Sequence, residues 1–344
     1  LEAKANKLST QKSEMLLLKG FLDIRRPPTD KVEQKSLKMI PVAKYLGVKT
    51  GTRFNITPHL NYICDKSKKN FNAIARTAHP GWGMNTRTLG ILYKGLFIPI
   101  ITYASAGWAG KLNSHHNRGL AQAQRHALIK VTKAYRTIPY DATTVIAAHF
   151  PVYLLILEKK AIHLLMKNEN FEIGGSRYEA HESPPNKEET KQIKTRMQRE
   201  IAGMWQTQWD ASIKGRVTYS FFNSVQSRFQ STWIKNNHHT VQILSGHGNI
   251  RHKLKQLNLV DTENCPCGEI DTVEHIIYSC EILAQSREQL ITTLNQKETQ
   301  WPYEGFIKFL EYTKQVFERR KENTYLESTP LIFQQEVSEK LPQV

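Results

Sequence analysis

Leu89-Gly90-Ile91-Leu92-Tyr93-Lys94-Gly95-Leu96-Phe97-Ile98-Pro99-Ile100 is the stretch that decides the fold class. Leu89, Leu92, Tyr93, Leu96, Phe97 and Ile100 recur at three- and four-residue steps, the spacing that gathers side chains on one buried helix face. Pro99 lacks a backbone N–H and is expected to kink or interrupt this helix. The same periodicity extends outward, so residues from Thr57 to about Phe150 read as helical. A further helix near Asn117 to Tyr135 buries Leu120, Ala127, Leu128 and Val131. Leu154 to Met166 is helical and apolar on most sides, and Lys191 to Trp209 resumes a helix. Trp205 and Trp209, four apart, suit either core packing or base stacking.

The first 50 residues differ from the helical stretch. Glu14-Met15-Leu16-Leu17-Leu18 and Val42-Ala43-Lys44-Tyr45-Leu46-Gly47-Val48 are short apolar runs, for which strand and buried helix are both open readings. Arg25-Arg26-Pro27-Pro28 reads as a turn between them. Gly174-Gly175 and Pro184-Pro185 lie in a polar region read as a linker and domain boundary. At 344 residues the chain is long enough for about two to three domains. No apolar run approaches the ~20 residues of a membrane-spanning helix. The opening Leu1 and the lack of a signal-peptide pattern read as a cut within a longer polypeptide.

Charge is distributed unevenly. Residues 1–150 hold 24 Lys+Arg against 7 Asp+Glu, so the whole net charge of +17 sits there; residues 151–344 balance at 24 against 24. Between Asp65 and Asp141 lie 12 basic residues and no acid. A second acid-free stretch, Ala211–Val260, has 7 Lys/Arg and four histidines. Such fields attract polyanions through phosphate neutralisation and counterion release. Solubility alone would intersperse acids among the cations. In the helix near 117–135, Arg118, Gln122, Arg125, His126, Lys130 and Lys133 form one stripe at 100° per residue, read as a rail for a phosphate backbone. Arg136, Lys214, Arg216, Arg251, Lys253 and Lys255 complete the candidate nucleic-acid contacts.

Three of the four cysteines fall within 16 residues, in the pattern Cys265-x-Cys267-x7-His275-x4-Cys280. Three thiolates and one imidazole satisfy a tetrahedral structural Zn2+ and leave no open position for catalysis. Gly268 permits the tight turn such a knuckle needs, and Val273 to Cys280 can form a helix that carries His275. The competing reading is three buried, reduced cysteines that meet by chance. Cys64 lies far away and is expected to take no part.

In their order along the chain these features resemble the Pol polyprotein of non-LTR, LINE-type retrotransposons, closest to the type-1 elements that insert in ribosomal DNA. The resemblance covers roughly residues 1–290. Leu8-Ser9-Thr10-Gln11-Lys12-Ser13-Glu14-Met15 looks like the reverse-transcriptase segment just after the catalytic aspartates. Tyr45-Leu46-Gly47-Val48 looks like the end of the palm. Leu92-Tyr93-Lys94 through Pro99, Ile101-Thr102-Tyr103, Gly107-Trp108-Ala109, Gln124-Arg125 and Ala134-Tyr135-Arg136-Thr137 look like the thumb. Trp205, Trp209, Lys214-Gly215-Arg216 and Gly246-His247-Gly248 precede the cysteine cluster as they do in that family.

The resemblance implies a mainly α fold. A short β remnant of a polymerase palm occupies 1–50 and a helical thumb 51–170. A linker at 171–200 is followed by a Cys/His zinc-knuckle nucleic-acid-binding domain at 201–300 and a tail at 301–344. The implied activity is RNA-directed DNA synthesis primed at a nicked target, with an RNA template and a DNA target or primer as partners. The implied site of action is the nucleus, after cytoplasmic synthesis. That chemistry needs a carboxylate pair to hold Mg2+. The aspartates here are 23, 30, 65, 141, 210, 261 and 271, none adjacent, so this stretch is expected to bind nucleic acid but not to polymerise. Lys12 is the one candidate catalytic residue, as a general acid toward pyrophosphate, against the reading of a surface lysine. Two other functions stay open: a stand-alone, non-catalytic nucleic-acid-binding zinc protein, and an endonuclease region of the same polyprotein.

Overall fold

The computed structural model describes residues 13–18, 31–32, 35–78, 83–180, 185–231, 234, 236–295, 311–316 and 318. The chain is mainly helical. It divides into two compact units, Leu1–Val131 with Ala148–Ala211, and Thr132–Ala147 with Ser212–Val344.

Short strands open the first unit: β1 (Glu14–Met15), β2 (Lys31–Val32), β3 (Lys35–Ser36) and β4 (Lys38–Met39), with β1 parallel to β4 and β2 antiparallel to β3. β5 (Val42–Tyr45) and β6 (Val48–Gly51) form a hairpin closed by Leu46-Gly47. Both loop residues have positive φ, 44° and 83°, as a two-residue turn of matching twist requires. A Cβ on Gly47 would lie 2.9 Å from the Tyr103 ring, whose hydroxyl donates to the Leu46 carbonyl. These two-stranded pieces resolve the strand-or-helix ambiguity toward strand.

Helix α1 (Thr57–Ala75) is followed by α2 (Thr86–Leu92), a π-turn (Tyr93–Phe97) and α3 (Ile98–Ile101). Leu89, Tyr93, Phe97 and Ile101 are the buried set, four apart at every step, while Leu92, Leu96 and Ile100 sit half-buried beside them. The π-turn explains this spacing, because its wider loop carries an extra residue per turn. It also accommodates Pro99: the Ile98 N–H bonds the Tyr93 carbonyl, five residues back, and the chain stays helical to Ile101. The expected interruption is therefore a change of helix type. Phe71 of α1 packs edge-on against Tyr93 and Phe97, which stack on each other at 5.2 Å.

After α4 (Ser105–Trp108) comes α5 (Ser114–Thr132). Helix α6 (Tyr140–Ala147) belongs to the second unit; α7 (Val152–Met166) returns to the first. A hairpin of β7 (Phe171–Ile173) and β8 (Ser176–Tyr178) and the 25-residue α8 (Lys187–Ala211) complete that unit. Within 171–200, read as a linker, the described residues 171–180 and 185–200 hold a hairpin and most of a helix: Phe171 and Tyr178 stack at 4.7 Å, and Met197, Ile201, Trp205 and Trp209 are buried on α8. The polar composition there belongs to the outer face of a long amphipathic helix. Trp205 packs 5.1 Å from Phe150 and is core.

One buried amide joins three segments of the first unit. Gln124 of α5 donates to the Tyr93 hydroxyl and to the Phe150 carbonyl, each at 2.8 Å, and accepts from the Val152 N–H at 2.7 Å. It thereby caps the first turn of α7, whose opening N–H groups have no partner within the helix.

The second unit adds α9 (Arg216–Phe221), α10 (Val225–Gln230), α11 (His238–Ser245), α12 (Arg251–Gln256) and α13 (Ala284–Asn295). Its core gathers Ile138, Val145, Ile146, Val225, Val241, Ile243 and Leu244. Among the described residues no single helix is long and apolar enough to cross a membrane.

The Gln124 clamp yields a test. Gln124→Leu leaves the Val152 N–H and the Phe150 carbonyl buried without this partner, at about 1–3 kcal/mol for each orphaned group. Urea unfolding should show a loss in that range or twice it. A loss under about 0.5 kcal/mol, the size of an ordinary surface change, would refute the clamp.

Candidate metal centre and basic surfaces

The metal candidate is built on two short backbone devices. In the first, Gly268 donates to the Cys265 carbonyl at 2.9 Å, Cys265 donates to the Glu269 carbonyl at 2.7 Å, and Asn264 pairs with Ile270. Gly268 sits at φ +100°, which an L side chain rarely adopts, so the turn that presents Cys265 and Cys267 needs glycine here. In the second, the Thr272 hydroxyl caps the next turn by accepting from the His275 N–H, and the chain then makes a π-turn over His275–Ser279. The Cys280 N–H closes it on the His275 carbonyl at 2.8 Å. Residues five apart on a regular α-helix point about 140° away from each other. The π-turn removes much of that offset and brings His275 and Cys280 to one side.

The four ligand atoms of Cys265, Cys267, His275 and Cys280 all lie within 4.8 Å of one another. Cys265 Sγ and Cys280 Sγ are 3.8 Å apart. That is far beyond a disulfide bond of about 2.05 Å and equals the edge of about 3.8 Å set by a tetrahedron of 2.3 Å zinc–sulfur bonds. Cys267 Sγ lies 3.2 Å from His275 Nε2. Nε2 faces the centre and Nδ1 lies 3.3 Å from Ser279 Oγ; with a metal on Nε2, Nδ1 would carry the proton and donate to that hydroxyl, an outer contact that orients a metal-binding imidazole. Burial, with Cys280 and Asp271 nearby, pushes the Cys265 thiol up to about 12. Without a cation it stays protonated; a bound divalent ion would ionise it. Cys64 is buried on α1, 3.9 Å from the Gly119 carbonyl, and burial raises its thiol to about 11. It is outside the cluster.

The module is anchored to the second unit. Tyr312 donates to the Ile276 carbonyl at 2.6 Å, and Thr313 shares a hydroxyl contact of 3.1 Å with Thr240 of α11. Ile276, Val316, Tyr312 and Leu283 are buried.

The basic candidates are placed as follows. Arg118 is exposed on α5, and Arg125 and Lys130 are half-buried on the same helix; burial lowers the Arg125 guanidinium below its ordinary value. Lys133 leaves the stripe. Helix α5 ends at Thr132, and Lys133 turns left-handed at φ +58°. Its carbonyl accepts from His238 Nδ1 at 2.9 Å. Arg136, Lys214 and Arg216 are exposed in the second unit; Arg216 lies 3.7 Å over the Tyr219 ring and donates to the Ser212 carbonyl. Arg251, Lys253 and Lys255 lie on α12. Arg228, counted with the acid-free stretch, is structural: it is buried, donates to the Ile146 carbonyl at 2.6 Å at the end of α6, and burial lowers it to about 10. Lys12 lies outside the described residues.

The chain is 34% identical to a Retrovirus-related Pol polyprotein from type-1 retrotransposable element R1 4 of Nasonia vitripennis, over 86% of this chain and 76% of that relative. The chain belongs to the R1 type-1 retrotransposable-element Pol polyproteins. It is also 27% identical to the R1 Pol polyprotein of Bradysia coprophila, over 82% of this chain but only 28% of that relative, and 24% identical to the R1 2 polyprotein of Nasonia vitripennis, over 81% of this chain and 69% of that relative. No protein-family profile and no solved structure matches the chain. The retrotransposon resemblance read from the motifs is thus the family to which the chain belongs.

The centre is testable by metal content. Mass spectrometry should find one zinc in the unaltered chain and in Cys64→Ser, and none in Cys280→Ser, which should also lose order in the 264–283 segment. Ligation of this kind is worth about 10–16 kcal/mol apparent. Equal zinc in all three proteins, or none in the reduced, unaltered chain, would contradict the assignment.

Proposed function

We propose that this chain is the C-terminal part of an R1-type reverse transcriptase and that it grips template–primer or target nucleic acid. The observation that carries the reading is the combination of R1 kinship with a +17 charge confined to residues 1–150. In this reading residues 1–50 end the palm, 51–170 act as thumb, and the second unit holds one structural Zn2+ on Cys265, Cys267, His275 and Cys280. The partners are an RNA template and a DNA target or primer, met in the nucleus at the site of integration.

The physical action proposed is electrostatic. Each cation that neutralises a phosphate releases condensed counterions, so affinity falls with salt and depends little on sequence. Arg118, Arg136, Lys214 and Arg216 are exposed. Arg125 and Lys130 are half-buried, and burial already disfavours the Arg125 guanidinium, so the exposed cations carry most of the contact. The Tyr219 ring and the Ser212 carbonyl hold the Arg216 guanidinium in place at the surface. Nucleotide addition needs Mg2+ held by paired carboxylates. This sequence has no adjacent aspartates, so that chemistry is assigned to the part of the polyprotein that carries them.

Two measurements test the proposal. Arg118→Ala and Lys214→Ala should each weaken binding to any DNA duplex and flatten the plot of log affinity against log salt by about 0.9. An unchanged slope in both would remove them from the interface. Primer extension on an RNA template with Mg2+ or Mn2+ should give no product from this chain alone; reproducible extension would show that the active site has been misplaced.

A further inference from the structure

The Cys/His module is itself a poor phosphate ligand. From Gln256 to Ser286 the chain has no Lys or Arg and six acids: Asp261, Glu263, Glu269, Asp271, Glu274 and Glu281. Three thiolates around one Zn2+ would add a further negative charge. Asp261, Glu269, Glu274 and Glu281 are exposed. Such a surface repels a polyanion. The stretch immediately before it, Ala211–Val260, is free of acids and ends in Arg251, Lys253 and Lys255 on α12. Charge changes sign at the boundary between α12 and the module.

Helix α12 cannot order itself. It has six residues, none of them buried, and an isolated helix of that length is unstable in water. Its residue at the N-cap, Ile250, offers no capping side chain. The cap comes instead from the metal module. Asp271, 1% exposed, accepts from the Arg251 N–H at 2.6 Å through Oδ2, and its carbonyl accepts from the His252 N–H at 3.3 Å. Glu263 Oε2 meets His252 Nδ1 at 2.8 Å, and Lys255 Nζ donates to the Asp261 carbonyl at 2.8 Å. Every one of these acceptors lies in the module, and Asp271 sits between the hairpin of Cys265 and Cys267 and the turn that carries His275. Whatever fixes the four ligands fixes Asp271, and Asp271 fixes the start of α12.

We propose that the Cys/His module acts on nucleic acid through α12, with Asp271 as the positioning residue that sets Arg251, Lys253 and Lys255 against a phosphate backbone. This rests on the nucleic-acid reading above and changes the part the module plays in it: the metal shapes a scaffold, and the neighbouring helix makes the contact. Loss of metal would then weaken binding although no metal ligand touches nucleic acid.

The test uses the full chain, a fluorescein-labelled DNA duplex and a salt series, with zinc content measured on each protein. The variant R251A/K253A/K255A should flatten the salt slope by about 2.7, from three lost contacts at 0.9 each. Asp271→Ala should keep its zinc and flatten the slope by a similar amount, with no further loss when combined with the triple change. Asp271→Asn keeps an oxygen that can accept from the Arg251 N–H and should restore the original slope. A merely structural aspartate would not couple to those three cations. A zinc-loaded Asp271→Ala with the original slope, an original slope in the triple variant, or loss of zinc from Asp271→Ala would each overturn the proposal while leaving nucleic-acid binding standing. Failure of the unaltered chain to bind at any salt would end both readings.

Discussion

The convergence of four candidate ligand atoms within 4.8 Å is the constraint on which the Cys/His module of the second unit turns. Two cysteines come from a glycine turn, and a histidine and a third cysteine come from opposite ends of a π-turn. Neither device is a low-energy choice for its own sake. A left-handed Gly268 and a five-residue hydrogen-bonded loop at His275–Ser279 have a common result, the gathering of these four side chains. The consequences spread from there. The Ile276 carbonyl takes the Tyr312 hydroxyl, Thr313 touches Thr240 on α11, and Asp271 caps α12. This stretch joins its surroundings through these polar contacts as well as through buried Val273, Ile276 and Leu283.

The first unit relies on a different kind of cement. Its aromatic core of Phe71, Tyr93 and Phe97 is ordinary hydrophobic packing, and Gln124 ties that core to the start of α7. Much of the positive field lies on helices whose opposite faces are buried, so charge and core are two sides of the same amphipathic elements. Some cations serve the fold alone. Arg228 is one: buried, it donates to a carbonyl at the end of α6. A count of basic residues overstates the surface available to phosphate.

Long amphipathic segments were legible in the sequence, because their periodicity depends only on near neighbours. Thr57–Ala75, Val152–Met166 and most of Lys187–Ala211 follow this rule. The Cys/His cluster was legible for another reason: thiol clustering and ligand spacing are chemical signals that need no tertiary information. What escaped was set by distance or by irregular geometry. The π-turn at Tyr93–Phe97 shifts the buried set to strict four-residue steps, which an ideal helical wheel blurs. Gln124 meets partners 26 to 31 residues away, and nothing local marks it as buried. Lys133 fitted the stripe by spacing, but the helix stops one residue earlier. The polar stretch 171–200 concealed a hairpin and a helix because only one face of α8 is apolar. Asp271 had no signal beyond its place between ligands, and its role appears only once α12 is seen against it.

The coordination shell of the metal tests the central claim most directly. X-ray absorption at the zinc edge on the purified full chain reads the ligand set without a variant. The account predicts three sulfurs at about 2.3 Å and one nitrogen at about 2.0–2.1 Å, with no open position. A shell of nitrogen and oxygen alone, or one with fewer than three sulfurs, would contradict the convergence of Cys265, Cys267, His275 and Cys280 on one ion.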